Sequence, residues 1–165
     1  MKNILKINPQ DINEVMCLIK EVISEMKNNE IDQWDDVYPN YKVLFDDIHA
    51  EAMFGVFEDL ELAGIVVLDG NQSAEYSSVE WELDHESPLV MHRLCVRPKF
   101  QRRGIAKELL KFSEQFAINN RYTSIRLDAF SGNPSALSLY ENNGYRKRGM
   151  VTFRKGDFYC YEKAL

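Results

Sequence analysis

Cysteine is scarce and poorly placed for cross-linking: three residues, Cys17, Cys95 and Cys160, odd in number and without a CxxC spacing. A disulfide scaffold and a zinc site are thereby set aside, and a reducing cytoplasm is the expected compartment. Long hydrophobic runs are missing too. The longest, about Ala63–Leu68, falls far short of the ~20 residues a membrane span requires. The opening Met1-Lys2-Asn3-Ile4-Leu5 alternates like a strand and has no secretory h-region. With 5 prolines and 8 glycines there is no Pro/Gly/Ser linker, low-complexity tract or repeat. What remains is 165 residues with 45% hydrophobic, 12% aromatic and 28% charged content, the composition of one compact domain over residues 1–165.

Charge is unevenly distributed. The chain carries a formal net charge of −6. Residues 1–86 hold 5 Lys/Arg against 20 Asp/Glu, whereas residues 87–165 hold 15 against 6. From Ser87 to Lys107 there are six cations (Arg93, Arg97, Lys99, Arg102, Arg103, Lys107) and no acid. A basic island in an acidic chain suggests a local anionic ligand, and the acidic half suits a cationic one. The plainer alternative is that the two halves mix in the fold and neutralise each other. Nucleic acid is not expected, because its backbone demands a broad basic face, and no membrane association is expected either.

Periodicity gives the element order. Lys2–Ile7 alternates like a strand, and Asn8-Pro9 offers a helix cap followed by proline. Ile12, Val15, Ile19, Val22 and Met26 then recur at helical spacing. A loop with two aromatics, Gln33–Pro39, leads to a second helix over Tyr41–Ala52 capped by Asn40. Phe54–Glu58 and Ala63–Asp69 read as a hairpin, Gly70–Ser78 as a polar turn region, Val79–Leu83 and Leu89–Val96 as strands. A helix over Arg103–Asn119, a buried strand at Ser124–Phe130 and a helix from Asn133-Pro134 to the stop at Asn143-Gly144 follow. Tyr145–Thr152 and Phe158–Glu162 close as a strand pair. The expected fold is α/β (α+β): a mixed, mostly antiparallel sheet with helices on its faces.

One stretch carries chemistry. In Leu94-Cys95-Val96-Arg97-Pro98-Lys99-Phe100-Gln101-Arg102-Arg103-Gly104-Ile105-Ala106 a strand ends, a basic loop follows and a helix begins. Unpaired N–H groups at a helix start bind phosphate oxygens. Gly104 has no Cβ to keep a pyrophosphate away, and Arg102 and Arg103 supply fixed donors. A Walker loop would end in Gly-Lys-[Ser/Thr], and a dinucleotide fingerprint needs three glycines; both patterns are absent. Downstream, Asn133 and Tyr140 are seven residues apart, so they share one helix face.

Two strings, Leu-x-Val-x-Pro-x-x-Gln-x-x-Gly-x-Ala over residues 94–106 and Asn-Pro-x-Ala-x-x-x-Tyr-x-x-x-Gly-Tyr over residues 133–145, resemble the GCN5-related N-acetyltransferase (GNAT) superfamily, and the element order fits that fold along nearly the whole chain. The resemblance implies an acetyl-CoA-dependent N-acetyltransferase using coenzyme A as its acyl carrier and no metal. It implies a pyrophosphate held by Gln101, Arg102, Arg103, Gly104, Ile105, Ala106 and Lys107, and a pantetheine arm along the main chain of Leu94, Cys95 and Val96. It adds Asn133 and Ser135 as contacts to the cofactor arm, and Tyr140 as holder of the sulfur and general acid to the departing thiolate. Read without the family, Leu137 and Tyr140 would be a plain core stripe. An acyl-cysteine on Cys95 is not expected, since no base accompanies it.

An attacking alkylammonium, pKa ~10, must first lose a proton. Glu80, Glu82, Asp84 and His92 flank the central strands; Glu80 and His92 are the candidate general bases, with a water chain as the alternative. An imidazole suits such work as a class, and strand alternation puts His92 in register with Leu94 and Val96. The resemblance also makes the N-terminal helices and their loop one wall of the acceptor pocket. There Trp34 and Tyr38 would stack on a cationic or apolar acceptor, or else merely plug the helix–sheet junction. A small-molecule primary amine is the expected acceptor. A protein N-terminus or lysine is the alternative within enzymes, and an idle acyl-CoA sensor the alternative outside them. Oligomeric state stays open, a homodimer through the terminal strands being common in such folds.

Overall fold

The structure is a computed structural model that describes residues 3–83 and 87–165. Its elements run β1 (Ile4–Lys6), α1 (Ile12–Asn28), α2 (Tyr41–His49), β2 (Met53–Glu58), β3 (Glu61–Asp69), β4 (Leu89–Val96), α3 (Ile105–Asn119), β5 (Ser124–Phe130), α4 (Pro134–Asn142), β6 (Arg146–Phe153) and β7 (Gly156–Ala164). Short 3-10 turns precede α1 at Pro9–Asp11, follow β3 at Ala74–Ser78 and follow β4 at Pro98–Phe100. The strands form a sheet in the order β1-β2-β3-β4-β5-β7-β6. It is antiparallel in the ladders β1/β2, β2/β3, β5/β7 and β6/β7 and parallel between β4 and β5. The mixed, mostly antiparallel class expected from the sequence therefore holds.

The chain divides into two compact units, neither continuous in sequence. One takes the chain through Leu68 together with Arg93–Phe112; the other takes Asp69–His92 together with Ser113–Leu165.

In the first unit, the apolar stripe of α1 (Val15, Leu18, Ile19, Val22) and Leu44 and Ile48 of α2 close over Met53, Leu62, Ile65 and Val67 of the β2/β3 hairpin. Burying each such side chain contributes about 1.5–3 kcal/mol. The opposite face receives α3. A Cβ on Gly64 would stand 3.0 Å from the Cys95 carbonyl oxygen, 3.2 Å from Ile105 and 3.3 Å from Leu109, so glycine is what lets that helix lie against β3. Phe54 and Phe112 pack at 5.1 Å between ring centroids on the same side. Helices on both faces explain why β3 is buried along nearly its whole length.

In the second unit, Val90, Val151, Phe158 and Cys160 of the strands form a core with Tyr76, Val79 and Trp81. The caps read from sequence are present: the Asn40 side chain accepts from the Val43 N–H, and Asn133 accepts from Ala136 at 3.2 Å. Gly144 takes the left-handed φ of +86° just after α4.

Three expectations need correction. Asn8-Pro9 starts the 3-10 turn, with the Asn8 N–H donating to the Asp11 carboxylate at 3.0 Å, before α1 begins at Ile12. The third helix begins at Ile105 instead of Arg103, because Arg102 and Gly104 both have positive φ. Val79–Leu83 is no strand, although Val79 and Trp81 point inward as one would. Its N–H groups are satisfied without a strand partner: Val79 and Trp81 donate to the nearby carbonyls of Tyr76 and Val79, and Glu82 donates to the distant Glu162 carboxylate at 2.8 Å. Arg126 donates to the Leu83 carbonyl at the end of this segment at 3.0 Å and to Gln72 upstream of it at 2.8 Å, with its guanidinium 4.2 Å over the Trp81 ring.

Candidate active site

The basic loop is rooted by its first cation. The Arg97 N–H donates to the Ala63 carbonyl at 2.8 Å. Its side chain, 3% exposed, bridges Glu14 at 3.0 Å and Glu61, with Glu21 at 3.6 Å. Lys99 also pairs with Glu61. Further on, the Gln101 amide donates to the Val96 carbonyl at 3.1 Å and folds the loop back on the strand end. Residues 101–104 are then all exposed. Arg102 at φ +61° and Gly104 at φ +82° turn the chain into α3, and no atom lies within 4 Å of a Cβ placed on Gly104.

The acidic and basic halves thus mix only in part. Arg93, Arg97 and Lys99 are paired with N-terminal carboxylates, while Arg102, Arg103 and Lys107 make no ion pair among the described residues. They surround a helix start whose first N–H groups lack intrahelical partners, an arrangement able to hold a doubly charged phosphate linker.

Upstream, β4 is interrupted at Arg93, which takes a left-handed φ of +52°. Its guanidinium donates to both Asp47 oxygens, at 2.7 and 2.6 Å, and to the Tyr38 hydroxyl at 2.7 Å. Strand alternation therefore breaks at this residue, and the expectation that His92 stays in register with Leu94 and Val96 does not carry across it. The parallel ladder with β5 covers Leu89↔Ile125 and Val90↔Arg126. Cys95 is 6% exposed, and burial pushes its thiol well above the ordinary range, which is the state of an inert packing residue.

Of the proposed bases, His92 has a partner that the sequence did not disclose. Its Nε2 lies 2.9 Å from Asp69 Oδ1. Burial alone would raise the Asp69 carboxyl, but the hydrogen bond and charge of His92, with two donors from Asn71, hold it below its ordinary value. Glu80 is exposed and belongs to no helix or strand. Glu82 is paired with Arg148, and Asp84 lies outside the described residues. Tyr140 is 7% exposed on α4, its ring 5.9 Å from that of Tyr145 and 6.0 Å from that of Tyr161. Asn133 is half-buried at the start of the same helix and Ser135 is exposed. Trp34, 6% exposed, belongs to the first unit's core, which favours the junction-plugging role for it, whereas Tyr38 is 38% exposed. Among the described residues no three His, Cys, Asp or Glu side chains converge as metal ligands would, and no helix is long and apolar enough to cross a membrane.

The fold is thus an α/β one with a mixed sheet, parallel between β4 and β5, and with an exposed cationic turn opening α3. The chain belongs to the acetyltransferase (GNAT) family, whose family model matches residues 19–145. A curated relative, the uncharacterized N-acetyltransferase YesJ of Bacillus subtilis (strain 168), is 25% identical over 159 residues, covering 94% of this chain and 86% of its own. A GNAT-family acetyltransferase from Streptococcus agalactiae 2603 is 26% identical and superposes with a TM-score of 0.87 over 99% of this chain and 95% of that one. PaiA N-acetyltransferase from Thermoplasma acidophilum, solved in complex with coenzyme A, shares the fold at 19% identity, with a TM-score of 0.75 over 100% and 99% of the two chains.

Proposed function

We propose that the protein moves an acetyl group from acetyl-coenzyme A to the primary amine of a small molecule by direct attack on the thioester, residues 1–165 acting as one catalytic domain. The observation that carries this is the exposed 101–104 turn: two left-handed residues, open space at Gly104, and Arg102 and Arg103 there with Lys107 just beyond, none of them in an ion pair among the described residues. Gln101, Arg102, Arg103, Gly104, Ile105, Ala106 and Lys107 would cradle the pyrophosphate. Leu94, Cys95 and Val96 would offer main-chain groups to the pantetheine arm, one N–H polarising the thioester carbonyl. Family likeness assigns Asn133 and Ser135 to the same arm and Tyr140 to the departing sulfur.

In the reaction a base removes a proton from the acceptor ammonium, and the freed lone pair attacks the carbonyl carbon. The C–N bond forms, the C–S bond breaks, and Tyr140 protonates the thiolate. Tyr38 would line the acceptor's path. Three unpaired thiols suit a reducing cytoplasm.

The test is titration of the protein with acetyl-CoA, followed by a free-thiol assay over a panel of small amines and short peptides. Binding that weakens at least about 10-fold in Gly104→Glu, with thiol release for a small amine, is expected. Absence of coenzyme binding overturns the proposal. Binding without turnover for any acceptor points to a sensor, and turnover confined to peptides to a protein substrate.

A further inference from the structure

We infer that Asp69 is a positioning residue that holds the His92 imidazole as its Nε2–H tautomer, so that Nδ1 is the atom that takes the proton from the acceptor ammonium. This rests on the acetyl-transfer proposal and selects between the two candidate bases.

The carboxylate is set before it meets the ring. Asp69 ends β3, and the turn that follows brings Asn71 back to it: the Asn71 N–H donates to Oδ1 at 2.8 Å and its side-chain amide to Oδ2 at 3.1 Å. Oδ1 then lies 2.9 Å from His92 Nε2. Held below its ordinary pKa, Asp69 is ionised at neutral pH and accepts only, so the shared hydrogen belongs to Nε2 and the lone pair to Nδ1. No other hydrogen bond to the ring occurs among the described residues. The side chains of His92 and Asp69 are 21% and 20% exposed, screened yet reachable.

The surrounding charges are already engaged. On β4 itself Arg93 is bound by Asp47, and on β5 Arg126 faces Glu162 while Asp128 accepts from Tyr76 at 2.7 Å. The imidazolium formed during turnover therefore has Asp69 as its counter-charge, the geometry by which a buried acid steadies a catalytic histidine elsewhere in enzymology. The balance is simple: Nδ1 gains the ammonium proton, the amine keeps the electron pair that forms the C–N bond, and the ring later returns the proton to solvent. Among the described residues Glu80 has no such orienting partner.

Nitrogen-15 NMR of the His92 ring and steady-state kinetics test this together, using His92→Gln, Asp69→Asn and Asp69→Glu. The neutral wild-type ring is expected as the Nε2–H tautomer, and Asp69→Asn as a mixture of tautomers. Kinetically, Asp69→Asn should lower kcat about 10–100-fold with acetyl-CoA affinity unchanged, Asp69→Glu should recover part of it, and His92→Gln should lose about 100-fold or more. An Nδ1–H tautomer in the wild type, or full turnover in either Asp69→Asn or His92→Gln, overturns the inference. The tautomer is read whether or not an acceptor has been found, so its failure is distinct from failure of the acetyl-transfer proposal, which the coenzyme titration decides. If Asp69 only supported folding, its variant would melt earlier and leave kcat unchanged.

Discussion

Removing one carboxylate charge from the first unit should cost it several times more than a typical surface substitution. Asp47 and Arg93 are each 11% exposed and joined by two charge-assisted hydrogen bonds. Asp47→Asn keeps the shape but leaves one oxygen acceptor, and it turns an amide donor toward a guanidinium that only donates. Losing one hydrogen bond to a charged group costs about 1.5–3 kcal/mol, and fully breaking a buried pair costs about 3–5 kcal/mol. Tyr38 still accepts from the guanidinium at 2.7 Å, which keeps the loss below that upper range. About 2–3 kcal/mol is expected, or about 5–10 °C in Tm for a chain of this size. The same pair holds Arg93 at φ +52°, a conformation costing about 1–2 kcal/mol for a residue with a Cβ, so part of the loss should return as the strand relaxes. Urea unfolding of Asp47→Asn, Tyr38→Phe and Asp47→Leu/Arg93→Met measures this. Tyr38→Phe should lose about 1 kcal/mol, and the double variant should lose less than the sum of its single changes. A loss below about 0.5 kcal/mol in Asp47→Asn would refute the claim that this carboxylate is what holds Arg93 in its left-handed conformation.

Asp69 gives a pH signature. Its folded pKa lies below the ordinary 3.8, so its ionisation adds stability that is fully present above that value and lost as pH falls through the lower, folded one. Urea midpoints of wild type and Asp69→Asn should differ most near neutrality and converge in acid; a gap that widened on acidification would contradict the sign. The thiols should also separate. Cys17 is exposed, whereas burial raises the Cys95 thiol and carries that of Cys160 to about 12. One thiol per chain should react with a thiol-specific reagent under native conditions and three after unfolding, with Cys95→Ala still able to turn over; two fast native thiols would contradict the burial.

The sequence makes legible whatever is local. Caps at Asn40 and Asn133 and the stop at Gly144 are fixed by residues within a few positions of one another, and the structure has them where the residue types placed them; the turn from Gln101 runs two residues further than expected, to Gly104. Val79–Leu83 misled because alternation records only which side chains face inward. Trp81 and Val79 do face inward, yet the hydrogen bonds that would make a strand go to Tyr76, Val79 and Glu162. The limit is sharper at the candidate site. His92 and Arg93 are neighbours on one strand, and each is defined by a carboxylate 23 or 46 residues away. Both acids lie in a half of the chain that carries 20 of the 26 acidic residues, so composition marks them as ordinary members of an acidic crowd. Only the left-handed turn at Arg93, invisible to periodicity because arginine seldom adopts it, sends its side chain to Asp47 while the residue before it meets Asp69. Sequence alone therefore leaves Glu80, His92 and a water chain level as ways to remove the proton, since the contact that sets His92 apart, the Asp69 carboxylate at its Nε2, arises only where the end of β3 meets β4.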